Sequence, residues 1–347
     1  MVSTLDIKIH SDFNQLLTWF LSPKSLYIDE QEPWNISLLA NNISYLYKSL
    51  PISNVDLKVT DISIDFLREE EYLIKDKIYL SPILQLRKYV NNNLKDYLCD
   101  FLIHGSMATL DYSKGWSDLD TFVIVNSDTL YSPDNIIDLR YKMIAAHDYL
   151  LQIDVHQHHG FIFCSEIGLR HYYSHYLPLE VLRESKTLLP YGALRVHSNR
   201  KKKYAVESFR KINNTLADAL KNGILKHHKY QNEYLQDSFK NLNTMYQLKY
   251  FLSIVMTLPT YYLDAKGLPT YKGESFNKVK YDFIQDWEII EKATKIREMW
   301  PDKEEHPYIG NEIPKWVVSI LGGDYFYNAY KLSNSMFNSL LQDSEML

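Results

Sequence analysis

The chain has little cysteine, little glycine, no excess of positive charge and no long apolar run. Each shortage removes a class of protein. Two isolated cysteines, Cys99 and Cys164, in 347 residues supply neither a disulfide framework nor a zinc ribbon, so a reducing compartment is expected. Eleven glycines leave few tight turns and favour a generous helix content. A formal net charge of −5 excludes a general polyanion coat and leaves room for a local basic patch. No apolar stretch approaches the ~20 residues of a membrane helix. The first residues lack a basic leader and a small-residue cleavage site, so a cytoplasmic protein without membrane contact is expected.

What is present is an ordinary globular balance, 46% hydrophobic and 23% charged, in a length that suits about two domains of roughly 150 residues. The 28 tyrosines are unusual, and with many Lys, Asn and Ile they reflect base composition as much as function.

Residues 1–80 read as an N-terminal extension of uncertain structure. Helical spacing runs over 12–19 and 35–50, and alternation over 55–66 predicts a strand or hairpin. From Ser81 the pattern strengthens. Ser81 as N-cap, Pro82 in the first turn and apolar residues at 83, 84, 86, 90, 94 and 98 predict an amphipathic helix. A buried strand in CDFLIHGS then ends at Gly105-Ser106. A second strand follows over Thr121–Val125, a helix over Ile136–Leu151, and a third strand over QIDVHQHHGFIFC. That order predicts strands and helices packed around one sheet in a domain spanning 81–194. Residues 188–203 form a turn-rich boundary, and 195–347 read as a helical domain, with helices over 203–220, 233–262, 275–300 and 314–341.

The chemistry concentrates in HGSMATLDYSKGWSDLDTFVIV. On a strand, residues two apart share a face, so Asp118 and Asp120 are expected side by side at the mouth of a buried strand. Adjacent carboxylates repel, and a divalent cation relieves the repulsion; magnesium takes one or two carboxylates plus substrate phosphates. Upstream, Gly105-Ser106 ends the preceding strand, and a helix starting near Met107 would add free N–H groups to the Ser106 hydroxyl as an anion cradle. The pairing points to Mg²⁺ carrying a nucleoside triphosphate.

This Gly-Ser turn followed by Asp-x-Asp on the next strand resembles the signature of the polymerase-β-type nucleotidyltransferase superfamily, in its minimal, aminoglycoside-nucleotidyltransferase-like branch. The resemblance spans roughly 82–192 and extends loosely over the helical half. It implies an α+β fold, a mixed sheet with flanking helices, followed by a C-terminal helical bundle; the substrate cleft is expected between the two, since ligand sites favour domain interfaces. It also implies ATP or another NTP as substrate, two Mg²⁺ ions held by Asp118 and Asp120, and a third carboxylate on a later strand. Asp154 fits that place by position, with Glu166 as its rival, and would complete the metal site and help deprotonate the acceptor. The implied reaction moves an NMP to a hydroxyl of a small molecule, a protein or an RNA end and releases pyrophosphate.

Other readings attach to single features. Asp154, His156 and His158 share strand parity, which suits a transition-metal site and hence a metal-dependent hydrolase built on 154–159. His156 alternatively touches the acceptor or lines the cleft, and His104 packs at a strand end. Ten Lys and Arg and two acids between Arg195 and Lys229 give a local net of +8, a surface for RNA, for the triphosphate or simply for solvent. Lys249, in an apolar helical stretch, either reaches a bound nucleotide or snorkels at the surface. A non-catalytic nucleotide-binding or interaction protein of the same fold is a further alternative, against which the intact Asp pair speaks. No motif specifies the acceptor, the base or the oligomeric state.

Overall fold

The computed structural model describes residues 4–26, 34–52, 58–157, 160–172, 178–190, 193–198, 202–226, 238–240, 242–306 and 308–345. The chain divides into two compact units, Met1–Asn199 and Arg200–Leu347.

In the first unit, helices α1 (Thr4–Phe20) and α2 (Trp34–Lys48) precede strands β1 (Lys58–Ser63) and β2 (Asp65–Phe66). Helices α3 (Glu69–Asp76) and α4 (Ser81–Asn93) lead into β3 (Leu98–His104), the one-turn helix α5 (Ser106–Thr109) and β4 (Asp120–Val125). There follow α6 (Ser127–Tyr131), α7 (Pro133–Ile153), β5 (Phe161–Ser165), α8 (Leu179–Arg183), β6 (Lys186–Thr187) and β7 (Ala193–Ser198).

Five strands make a mixed sheet in the order β2–β6–β3–β4–β5. β3 runs antiparallel to both β4 and β6, whereas β4–β5 and β2–β6 are parallel. The α+β architecture with a mixed sheet and flanking helices expected from the sequence is the one observed. β1 and β7 form a separate antiparallel ladder. The described part of the alternating run, 58–66, is therefore not a hairpin. Within its described residues, Ile62 and Ile64 stay buried in one core layer while the ladder partners change from β7 to β6.

β4 lies between β3 and β5 and is apolar on both faces, and Thr121 to Val125 are fully buried. Phe101, Ile103, Val123, Val125 and Phe163 point to a core shared with α1, α2, α4 and α7, while Leu102, Phe122, Ile124 and Cys164 pack with Leu194 and Val196 on the other face. The outer edge of β5 is covered by α1: Asn14 Oδ1 accepts the Ser165 N–H at 3.0 Å and Thr18 Oγ1 the Phe163 N–H at 3.2 Å. Arg140 on α7 is fully buried and donates to Phe20 O at 2.7 Å, Ser25 Oγ at 2.5 Å and Ser25 O at 3.2 Å. Ser81 is the first residue of α4 and not its cap, because the turn after α3 already places Leu80 in helical conformation.

The second unit contains helices α9 (Lys202–Asn222), α10 (Met245–Ala265), α11 (Lys272–Val279), α12 (Glu288–Lys303), α13 (Lys315–Leu321) and α14 (Tyr325–Glu345). The strand pair β8 (Ile224–Lys226) and β9 (Ser238–Lys240) separates α9 from α10. The helix expected over 233–262 starts only at Met245, where Thr244 and Gln247 form a reciprocal capping box. α12 runs through Pro301 rather than stopping before it. The break expected at Gly322-Gly323 is present, with Gly322 at φ +72° closing α13. Among the described residues no helix is long and apolar enough to cross a membrane.

Candidate active site

The end of β3 and the start of β4 are ladder neighbours, with His104 opposite Asp120. Directly after His104, Gly105 adopts φ +67° and ψ −155°, a backbone region that L side chains rarely enter. A second reason for glycine is contact: a Cβ built on Gly105 would lie 2.8 Å from Asp120 Oδ2. The missing side chain lets the Asp120 carboxylate rest against the backbone of the Gly-Ser turn. Ser106, half-buried, then opens α5, the short helix expected near Met107. The turn is pinned from α3, where the Tyr72 hydroxyl donates to Met107 O at 2.9 Å.

Asp120 is the first residue of β4 and has the parity of Phe122 and Ile124. Asp118 lies in the loop before the strand, so the pleat does not dictate its orientation as the sequence pattern implied. The strand begins only where the ladder to His104 begins. Asp118 and Asp120 are both half-buried.

Asp154 is not on a strand. Leu139, Met143, Ala146, Leu150 and Ile153 are all buried, and their spacing of four and three keeps α7 helical through Ile153. Asp154 caps that helix in extended conformation and is buried; its Oδ1 accepts the His156 N–H at 3.0 Å. The segment then returns to the Asp pair, since Gln157 Nε2 donates to Leu119 O at 2.8 Å. Asp154 and Asp118 also meet electrostatically at Tyr79, whose hydroxyl is pushed up first by burial, and further by these two acids and Tyr112. Nothing in the sequence pattern singled out Tyr79, one of 28 tyrosines placed just ahead of a helix start.

The remaining candidates fall elsewhere. His156 is half-buried in the turn after Asp154, which removes the strand parity on which a 154–159 metal cluster depended, and His158 and His159 lie outside the described residues. His104 is buried at the end of β3. Glu166 follows β5, and its N–H donates to Val125 O at 2.9 Å, at the opposite end of β4 from Asp120. Six residues of strand separate the two ends by about 17 Å. There Glu166 Oε2 accepts the N–H and hydroxyl of Ser127 at 3.0 and 2.6 Å. Lys249 lies on α10 in the second unit and is buried, which removes the snorkelling alternative. Within the basic segment, Arg195 pairs with Asp61 and Arg210 with Glu207.

Among the described residues no three His, Cys, Asp or Glu side chains form a ready metal-holding group. The donors at this end of the sheet are carboxylates, and that of Asp120 rests against a glycine backbone. That donor set fits a hard cation that completes its shell with substrate phosphates and water, and does not fit an all-protein cage. Comparison with protein families places residues 83–175 in a match to the nucleotidyltransferase domain. No curated protein and no solved structure matches the chain.

Proposed function

Starting from residues 83–175 as a nucleotidyltransferase domain, we propose that the protein moves a nucleoside monophosphate from an NTP to an acceptor hydroxyl with a divalent cation, Mg²⁺ being the natural choice. The observation that carries this reading is the Gly105–Asp120 contact, which sets a carboxylate against a side-chain-free turn. In the reaction the acceptor oxygen bonds to the α-phosphorus, the bond from that phosphorus to the α,β-bridging oxygen breaks, and pyrophosphate leaves. Such transfer is governed by positioning and charge neutralisation more than by covalent chemistry. Asp118 and Asp120 would hold the cation, with Asp154 beside them; when bound, the cation neutralises charge on the phosphate oxygens. Ser106 and the Gly105–Met107 backbone hold the terminal phosphates. Asp154 orients the acceptor hydroxyl and takes its proton. His156, whose N–H is tied to Asp154, would contact the acceptor.

The acceptor class favoured by the net charge of −5 is non-polymeric, a small molecule. The test is incubation of the purified protein with each α-labelled NTP, Mg²⁺ and a cell extract as acceptor source. Transfer of label should require Mg²⁺ and vanish in Asp118→Asn and Asp120→Asn while both variants keep the wild-type circular dichroism spectrum. Full transfer by the double variant rejects the proposal.

A further inference from the structure

We infer that Tyr79 is a positioning residue of this site, its hydroxyl anchoring the loop that carries Asp118. The inference rests on the divalent-cation reading and deepens it. Asp118 lies ahead of β4, so the ladder that holds Asp120 does not hold it. Its placement depends on the loop before it and on Leu119 after it, which is buried and accepts from Gln157 Nε2. That loop closes on itself: Trp116 N–H and Ser117 N–H donate to Ser113 O at 3.1 and 2.9 Å, and Ser113 N–H donates to Ser117 Oγ at 2.9 Å. Closure gives the loop a shape without fixing where it sits.

Tyr79 fixes where it sits. Gly115 N–H donates to the Tyr79 hydroxyl oxygen at 3.3 Å, and the Tyr79 ring stacks on Tyr112 with centroids 5.2 Å apart. Lys114 Nζ stands 5.5 Å from the centre of the same ring and pairs with Asp76 at 3.1 Å. Asp76 Oδ1 in turn accepts the N–H groups of Ile78 and Tyr79 at 3.2 and 2.9 Å, so the turn after α3 and the loop before Asp118 form one assembly. Tyr79 is only 3% exposed, and its hydroxyl lies within the fields of both Asp154 and Asp118. The phenol is thus the shared neighbour of the loop and of the two acids that the strand does not align. Removing a group that orients metal ligands without binding the ion typically weakens affinity 10- to 100-fold.

Tyr79→Phe deletes one oxygen and keeps the ring. In the full chain, Mn²⁺ binding followed by titration calorimetry should weaken at least about tenfold, at a temperature where melting curves in EDTA show both proteins folded. The kcat for nucleotide transfer should fall while KM for the NTP holds. Lys278→Met keeps the phenol and removes an exposed ion pair to Glu274 in the second unit, so its Mn²⁺ affinity should stay within about twofold of wild type. Wild-type Mn²⁺ affinity in Tyr79→Phe, beside weakened binding in Asp118→Asn, overturns the role of Tyr79 and leaves the cation reading standing. Undiminished Mn²⁺ binding in Asp118→Asn and Asp120→Asn overturns both.

Discussion

Asp100 is buried on β3, with Oδ1 accepting the Phe101 N–H at 2.7 Å and the Thr187 hydroxyl, and Oδ2 buried without a hydrogen bond among the described residues. Burial pushes its carboxyl from 3.8 to about 6, against the smaller downward pull of Thr187 and Phe101. A carboxyl raised in the fold binds its proton more tightly there than in the unfolded chain. It therefore contributes stability that is complete below pH 3.8 and lost as pH rises through about 6. Asp138, held below the usual carboxylate range first by Lys142 and then by Tyr97, works in the opposite sense and loses its contribution as pH falls. The Asp100 effect is isolated by difference. The unfolding free energy of Asp100→Asn minus that of wild type should rise by roughly 2 kcal/mol between pH 4 and pH 7. Urea denaturation at a series of pH values measures it, and a flat difference would remove Asp100 as the titrating group.

The unit β3–Gly105–α5–β4 shows which elements could be read from sequence. The two strands were legible because their apolar runs are short and end at Gly105-Ser106 and at Asp120. The Gly-Ser turn and the Asp pair were legible through their spacing. Asp154 was misplaced because Ile153-Asp154-Val155 alternates like a strand, whereas Leu150 and Ile153 also complete the helical stripe of α7; periodicity over three residues cannot separate the two. The support of Asp118 by Tyr79 was invisible, since it joins residues 36 or more positions apart through a backbone N–H that no side-chain pattern encodes. At this scale the sharpest test is Gly105→Ala. Its backbone conformation adds about 1–3 kcal/mol of strain, and its Cβ collides with Asp120 Oδ2. Denaturation should show a loss of that size, and nucleotide transfer should fall on the order of 100-fold as the carboxylate is displaced. Transfer at the wild-type rate would separate Asp120 from the chemistry.

Over the whole molecule, the first 80 residues carried the weakest sequence signal, yet Phe13, Leu17, Phe20, Ile36, Ile43 and Tyr47 share one core with Phe101, Val123 and Phe163 of the sheet. Amphipathic helices without strong caps announce that they have an apolar side without announcing what it meets. A fragment of residues 81–194 would expose that face of the sheet and lose the α1 side chains that cover the β5 edge. It should bind 8-anilinonaphthalene-1-sulfonate and lack a near-ultraviolet circular dichroism signal, whereas residues 1–199 should give a cooperative melt; a cooperative melt from the shorter fragment would show that the N-terminal helices are dispensable. The buried guanidinium of Arg140 adds a consequence in time. Its acceptors at Phe20 and Ser25 precede it by 120 and 115 residues. At about 5–20 residues per second, the end of α1 is synthesised roughly 6–24 s before the side chain that locks it. During that interval Phe13 can already meet Tyr47 of α2, whereas the Phe20 and Ser25 acceptors wait for Arg140.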